Sequence, residues 1–303
     1  MPAIDFSVSA AGLLVGTIVG LTGMGGGALM TPVLVLLFGI PPTVAVASDL
    51  AASLFMKPLG AVIHFKRGTV NRPLVAYLLI GSVPSAFLGA AFINSLAVSE
   101  AMNATMKTVL GVTLLVAALA IVGKTILRSL REGPPGSSQI PFAVKPLPTI
   151  AIGLFGGFVV GMTSVGSGSL IMVLLMLLYP RLSGSRLVGT DLAQAIPLVG
   201  AAALGHILFG HVHFGLTASL LVGSVPGVCI GALISARASD HVIRPVLVFT
   251  LLLSSLKLLG ASNHLVAIFA FGVITAGAAW MLAARRAPRE AAVAQVADSS
   301  SVS

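Results

Sequence analysis

The sequence predicts an all-α polytopic membrane protein. It is expected to contain two inverted repeats, each a glycine-broken re-entrant helical hairpin followed by three transmembrane helices, and one extra C-terminal helix. The predictors are hydropathy, two glycine clusters inside apolar runs, and an internal repeat. Of 303 residues, 57% are apolar and only 8% are charged, and the mean hydropathy is +1.08. Soluble domains carry roughly 25% charged residues, so this composition excludes a soluble enzyme.

Apolar runs divide the chain into ordinary spans and interrupted ones. Two runs, 8–38 and 147–179, contain the glycine clusters Leu21–Gly27 and Met162–Gly168. Clustered glycines remove the preference for helix, and about 11 residues follow each break, which is half a bilayer. We expect re-entrant hairpins there, the alternative being one long broken span. Uninterrupted runs of spanning length lie at 42–65, 70–93, 101–123, 186–208, 213–236, 241–258 and 263–283.

The basic residues favour the hairpins. If both hairpins return to their starting side, 14 of the 17 Lys and Arg residues share one face, which the positive-inside rule makes cytoplasmic. Lys107 and Lys257 then lie near the opposite face, and Lys57 lies in the membrane. A single crossing at 147–179 would put the later arginines on the wrong side. The net charge of +9 is therefore a sign of topology, and no nucleic-acid partner is expected.

An internal repeat supports the same layout. Residues 48–90 align without gaps on 190–232, and 17 of the 43 pairs are identical. A hairpin plus three spans is an odd number of crossings, so the halves are inverted, as in secondary transporters with a site at the midplane. The identical pairs include Asp49 and Asp191, His64 and His206, and Gly81-Ser-Val-Pro84 and Gly223-Ser-Val-Pro226.

The repeat predicts the domain organisation. The Gly- and Pro-rich basic segment between the halves is expected to be a linker, and the small polar residues after Arg289 are expected to be disordered. The predicted segments are a first transmembrane repeat 1–123, a cytoplasmic linker 124–146, a second transmembrane repeat 147–260, an extra transmembrane helix 261–284 and a disordered cytoplasmic tail 285–303.

The glycine breaks are candidate anion sites. Backbone N–H groups that open the following half-helix lack intrahelical acceptors and carry partial positive charge, and glycine lets an anion approach them. The alternative is that the glycines only permit a turn and tight packing. The candidate substrate-binding residues are Thr22, Gly23, Met24, Gly25, Gly26, Gly27, Lys57, Thr163, Ser164, Val165, Gly166, Ser167, Gly168 and Ser169.

Ionisable residues inside the spans form a second candidate group. Such residues are costly in a bilayer unless they are paired or hydrated. Lys57 would attract an anion, whereas the aspartates would carry protons, hold a cation or lock the repeats together. The candidate ion-coupling or repeat-interface residues are Ser48, Asp49, Thr190, Asp191 and Gln194. We predict no metal site and no cofactor, because the histidines lack further ligands nearby in sequence.

Several short motifs together resemble the sulfite exporter TauE/SafE family of membrane permeases, from about residue 10 to about residue 260. They are the first glycine break with Leu29-Met-Thr-Pro32, Ser48-Asp49-Leu50, the turn His64-Phe-Lys-Arg-Gly-Thr-Val70, and the repeated Gly166-Ser-Gly-Ser-Leu170 and Gly189-Thr-Asp-Leu192. The resemblance implies a two-repeat permease of the bacterial cytoplasmic membrane for sulfite, sulfonates or sulfoacetate. It places the family's paired motifs on Gly23–Gly27, Ser164–Gly168, Ser48-Asp49 and Thr190-Asp191.

The sequence therefore favours a secondary transporter of small anions that works by alternating access of its repeats. Expected partners are a small anionic substrate, a coupled proton or cation, and the lipid bilayer, with the C-terminus cytoplasmic and the oligomeric state open. One alternative is an intramembrane serine protease pairing Ser167 or Ser169 with His206, although such an enzyme has no use for a duplicated break. A non-transporting membrane receptor or scaffold is the other alternative.

Overall fold

The structure, a computed structural model, describes residues 4–22, 26–66, 70–96, 100–129, 143–166, 168, 170–180, 182, 184–210, 212–235, 240–269 and 271–272. The described residues contain helices and no strands, which confirms the predicted all-α class. The principal helices are α1 (Phe6–Thr22), α2 (Gly27–Leu37), α3 (Pro42–Lys66), α4 (Arg72–Leu96), α5 (Glu100–Ser129), α6 (Pro146–Thr163), α7 (Leu170–Leu178), α8 (Gly184–Phe209), α9 (Phe214–Ser235) and α10 (Asp240–Leu258).

These ten helices belong to one compact unit that ends at Leu259, and a second unit begins at Gly260. Within the second unit, residues 263–269 and 271–272 are helical. The rest of the predicted extra helix and the whole predicted tail lie outside the described residues. Helix α5 continues to Ser129, so its last six residues, 124–129, fall within the predicted linker.

Length and composition identify membrane-spanning helices. Among the described residues, five helices are long and apolar enough to cross a bilayer: Arg72–Leu96, Asn103–Gly123, Pro146–Thr163, Gly189–Phe209 and Phe214–Ile234. Large apolar side chains such as Leu119 and Leu233 point outward, whereas polar side chains such as Ser82 and Gln194 are buried. A polar interior inside an apolar exterior suits a lipid environment.

Both glycine clusters break their helices where predicted. Helices α2 and α7 have 11 and 9 residues, or about 16 and 14 Å at 1.5 Å per residue. Tyr179, which follows α7, has its hydroxyl oxygen 2.8 Å from the backbone N of Lys145 and 2.6 Å from the hydroxyl of Thr149. Because these partners lie at the start of α6, α7 returns to the level where α6 began, as the hairpin interpretation requires.

Glycine stripes join the first helix of each half to the fourth helix of the other half. Along α1, a methyl group on Gly12 would lie 3.0 Å from the carbonyl oxygen of Leu220 in α9. Along α4, a methyl group on Gly81 would lie 2.7 Å from the backbone N of Leu154 in α6. The Gly-Ser-Val-Pro segments of α4 and α9 thus lie where two helices pack closely, and α1–α9 and α4–α6 are corresponding pairs under exchange of the halves.

Helices α3 and α8 cross at the centre. Lys57 of α3 interacts electrostatically with Asp191 of α8, while Leu54, earlier in α3, lies beside Gly200, later in α8. The two helices, which match in the sequence repeat, therefore run antiparallel. The ionisable residues of the spans lie at this crossing.

Candidate functional site

The two glycine breaks meet at the centre of the bundle. A Cβ on Gly27, the first residue of α2, would overlap the backbone carbonyl of Ser164, which caps the end of α6. Ser164 adopts a left-handed conformation with φ 61° and ψ −10°, and its hydroxyl donates a hydrogen bond to Oδ2 of Asp49. A residue of the second break thus binds the carboxylate carried by the first half.

The two oxygens of Asp49 have different surroundings. The residue is fully buried, and Oδ2 accepts a second hydrogen bond from the hydroxyl of Thr31 at 3.2 Å. Oδ1 has no hydrogen-bond partner in the described part of the chain, and the buried hydroxyls of Ser48 and Ser53 have none either. Buried polar groups are nearly always paired, so three unpaired groups on one segment of α3 indicate a place for a ligand or a proton.

Gly26 faces this unpaired group directly. A Cβ built on Gly26 would lie 3.4 Å from Oδ1 of Asp49, 3.5 Å from the hydroxyl of Ser53 and 3.6 Å from Cε of Met56. Gly26 is also the N-cap of α2, so the helix whose first N–H groups lack intrahelical acceptors begins beside these polar atoms. A helix N-terminus, a hydroxyl and a carboxylate oxygen therefore lie close together.

Lys57 connects the two halves electrostatically. It is 7% exposed and interacts with both Asp191 and Asp49. Asp191 is 1% exposed, and its Oδ1 accepts a hydrogen bond from Nε2 of Gln194 at 3.3 Å. Gln194 in turn accepts a bond from the hydroxyl of Ser82 at 3.2 Å. The second carboxylate is thus part of a polar network between α8 and α4.

The structure brings together many of the predicted site residues. Gly26, Gly27, Lys57, Ser164 and Asp49 converge, and Asp191 with Gln194 joins them through Lys57. The side chain of Thr22 and all of Gly23, Met24, Gly25, Ser167 and Ser169 lie outside what the structure describes.

Other predicted residues serve local structure. The hydroxyl of Thr163 bonds the carbonyl of Val159 at 2.7 Å within its own helix. Thr190 accepts a bond from the backbone N of Asn71 at the start of α4, at 3.1 Å, and so holds α4 to α8. Val165, Gly166 and Gly168 are buried in the turn between α6 and α7.

Sequence reasoning missed Ser53 and Thr31. Ser53 lies four residues after Asp49, a spacing that puts both side chains on one face of a helix, and this signal was available. Thr31 lies on α2, and its contact with Asp49 depends on how α2 packs against α3, which spacing within either helix does not reveal.

His206 is held by two hydrogen bonds through its ring. It is fully buried, with Nε2 at 2.9 Å from the carbonyl oxygen of Gly161 and Nδ1 at 3.0 Å from Nδ2 of Asn94. Since a carbonyl only accepts and the amide nitrogen only donates, Nε2 carries the proton and Nδ1 accepts. Both ring nitrogens are therefore occupied, which leaves the histidine no position from which to activate a serine.

Comparison with known proteins identifies the family. The family model described as "Sulfite exporter TauE/SafE" matches residues 8–258. The chain belongs to this family. It is thus a TauE/SafE membrane transporter, a multi-pass protein of the lipid bilayer that acts on a small-molecule substrate.

Two relatives of this TauE/SafE transporter are also named as probable membrane transporters. The Bacillus subtilis (strain 168) "Probable membrane transporter protein YjnA" is 41% identical over 84% of this chain and 99% of its own length. "Probable membrane transporter protein YdhB" from the same organism is 27% identical over 81% of this chain and 96% of its own. No solved structure matches the chain.

Proposed function

We propose that this TauE/SafE transporter is a secondary permease of small anions, most specifically sulfite, sulfonates or related organosulfur anions. The observation that carries the proposal is the surface around Gly26, where the start of α2 faces the unpaired Ser53 hydroxyl and Asp49 Oδ1. Lys57 supplies the positive charge nearby. A substrate that is recognised by backbone N–H groups, hydroxyls and an ammonium group is an oxyanion.

The sulfur chemistry rests on the family. Its description names a sulfite exporter, and sulfite and sulfonate groups present three oxygens on one small centre. Such a group can accept hydrogen bonds from several directions at once, which suits donors that converge from α2 and α3. A planar carboxylate offers two oxygens and would engage fewer of these donors.

The proposed mechanism is alternating access of inverted repeats. The antiparallel crossing of α3 and α8 supports the inversion, because these helices match in the sequence repeat. The glycine-packed pairs α1–α9 and α4–α6 suggest that each moving body combines helices from both halves, with the α3–α8 crossing as the contact that changes. In this scheme the basic loops and the C-terminus lie on the cytoplasmic side of a bacterial cytoplasmic membrane.

The second candidate group has two roles in this scheme. The cluster of Asp49 and Asp191 is proposed to contain the site of the coupling proton or cation and to join the repeats through Lys57. The protease alternative is disfavoured by the two hydrogen bonds that occupy the ring of His206.

The test is a flux screen in proteoliposomes. Sulfite, thiosulfate, sulfonates and small carboxylates would be offered with and without a proton gradient, with protein-free vesicles as the blank. We expect protein-dependent flux of at least one sulfur oxyanion, above that of carboxylates of similar size. Transport of no anion would refute the proposal and favour a receptor or scaffold.

A further inference from the structure

We propose that Asp49 carries the coupling proton and that its Oδ1 is the atom that receives it. Protonation would convert this oxygen from an acceptor that repels an anion into a donor that binds one, next to the hydroxyl of Ser53. Transport would then move a proton and an anion together in the same direction. This inference rests on the proposed anion permease and specifies its coupling ion.

The hydrogen bonds of Asp49 determine which oxygen can take the proton. Oδ2 accepts bonds from the hydroxyls of Ser164 and Thr31, and both bonds require an oxygen with free lone pairs. Oδ1 has no partner among the described residues. A proton on Oδ1 therefore disturbs neither bond, whereas a proton on Oδ2 would compete with both donors.

The position of Oδ1 connects the proton to the anion. Oδ1 and the Ser53 hydroxyl lie 3.4 and 3.5 Å from the same point, the Cβ position of Gly26. Ser53 is 2% exposed and unpaired. An oxyanion at the start of α2 would meet Oδ1 at close range, where an ionised carboxylate repels it and a carboxylic acid donates a hydrogen bond.

The charges around Asp49 lead to the same conclusion. The charged groups that face it are Lys57 on its own helix and, beyond Lys57, Asp191 on α8. From α2 and the second break, the described partners are the neutral hydroxyls of Thr31 and Ser164. With both aspartates ionised the cluster carries one net negative charge, so a buried anion would raise it to two. One proton with each anion keeps the net charge unchanged, which a low-dielectric interior favours.

Asp191 does not share this arrangement. Its Oδ1 is bonded by Gln194, and neither of its oxygens is among the unpaired buried atoms of the described residues. Asp191 thus stays ionised and supplies the counter-charge for Lys57, whereas Asp49 carries the exchangeable proton.

The test measures protons and anions in the same proteoliposomes. The probe is radiolabelled methanesulfonate, which is fully ionised at neutral pH, so that a pH dye inside the vesicles reports only protons carried by the protein. In the wild type, an inward methanesulfonate gradient should acidify the lumen, and an inward proton gradient should drive accumulation. Asp49→Asn should still catalyse methanesulfonate exchange at equal concentrations, at a lower rate than the wild type, because the amide oxygen can replace Oδ2 and the amide N–H can replace protonated Oδ1.

The same variant should lose coupling. We expect Asp49→Asn to give no acidification and no gradient-driven accumulation, and its half-saturating methanesulfonate concentration should not change with pH. The matched variant Asp191→Asn should lower flux but leave the number of protons per anion at the wild-type value. Ser53→Ala should raise the half-saturating concentration about 10- to 100-fold, as for loss of one hydrogen bond to a charged group, with unchanged stoichiometry.

Several results would overturn the proton site. They are coupled proton movement in Asp49→Asn, loss of exchange in folded Asp49→Asn, wild-type accumulation driven by a sodium gradient without acidification, and wild-type affinity in Ser53→Ala. If wild-type protein exchanges neither methanesulfonate nor any anion of the flux screen, the proposed function itself fails, which is a distinct outcome.

Discussion

The two glycine breaks look alike in the sequence but have different surroundings in the structure. At the first break, Gly26 has an ordinary helical φ of −69° and faces the polar atoms of Asp49 and Ser53. At the second, Gly166 has φ +114°, and a Cβ there would lie 3.3 Å from Cβ of Leu170 and 3.6 Å from Cγ2 of Val160. Thus the glycine of the first break faces polar side chains, whereas Gly166 of the second break packs against apolar side chains.

The central helices differ in the same way. Asp49 and Asp191 occupy matching positions, but the positions that match Lys57 and Ser53 hold Val199 and Ala195, both buried in the apolar interior. The repeat preserves the helices, whereas the ammonium group of Lys57 and the unpaired hydroxyl of Ser53 have no counterpart at the matching positions of the second half. A duplicated fold can therefore keep one chemically active half and one supporting half.

Topology gives an all-or-none test that the second break is a hairpin. With the exposed Cys229 replaced by serine, single cysteines at 68 and 182 should react with a membrane-impermeant maleimide from the same, cytoplasmic, side. The reason is that α4 and α5 cross the membrane in opposite directions and a hairpin at the second break adds no net crossing, so both loops lie on one face. Labelling from opposite sides would show that the second break is a single crossing and would contradict the hairpin interpretation.

Lys57→Ala against Val199→Ala tests the inequality of the two halves. Removing Lys57 leaves two buried carboxylates without their cation, a loss of about 3–5 kcal/mol when a buried pair is broken, and anion flux should fall by at least about 100-fold. Val199→Ala removes only apolar contacts, and flux should stay within a few-fold of wild type. Comparable flux in the two variants, with equal amounts of folded protein in the membrane, would contradict the account.

Three glycine-to-alanine variants at the breaks should differ in stability according to the space and the backbone conformation at each glycine. Gly27→Ala should not yield folded protein, because its Cβ would overlap the Ser164 carbonyl. Gly166→Ala should fold with lower stability, since its φ of +114° costs an L-residue roughly 1–2 kcal/mol. Gly26→Ala should unfold like wild type, because its nearest contacts, at 3.4 Å and beyond, are ordinary van der Waals distances. Thermal unfolding in detergent provides the ranking, and a Gly26→Ala midpoint below that of Gly166→Ala would reverse it.

The smallest expected effect is the difference in stability between two variants of Ser164. This residue both binds Asp49 and caps α6 in a left-handed conformation. Ser164→Gly and Ser164→Ala both remove the hydroxyl that binds Asp49, so their fluxes should fall equally. Glycine adopts the φ of 61° without the energetic cost that alanine would have, so Ser164→Gly should be about 1 kcal/mol more stable than Ser164→Ala. Equal unfolding midpoints would show that the left-handed turn does not matter for stability.

The sequence predicted the breaks and the ionisable residues inside the spans, because clustered glycine and intramembrane charge have strong physical effects within a single helix. It could not predict that Oδ1 of Asp49 stays unpaired while Oδ2 receives two hydroxyls. That difference depends on how α2 and the turn after α6 approach α3 from distant parts of the chain. The unequal surroundings of Gly26 and Gly166 arise for the same reason.

The most direct test of the central claim is equilibrium binding of radiolabelled methanesulfonate to purified protein in detergent. We predict saturable binding of about one anion per wild-type chain. Gly166→Ala should keep this binding, whereas Gly26→Ala should lose it, since its methyl group would occupy the point where the anion meets Ser53 and Asp49. Wild-type binding in folded Gly26→Ala would contradict the claim that the first break holds the substrate.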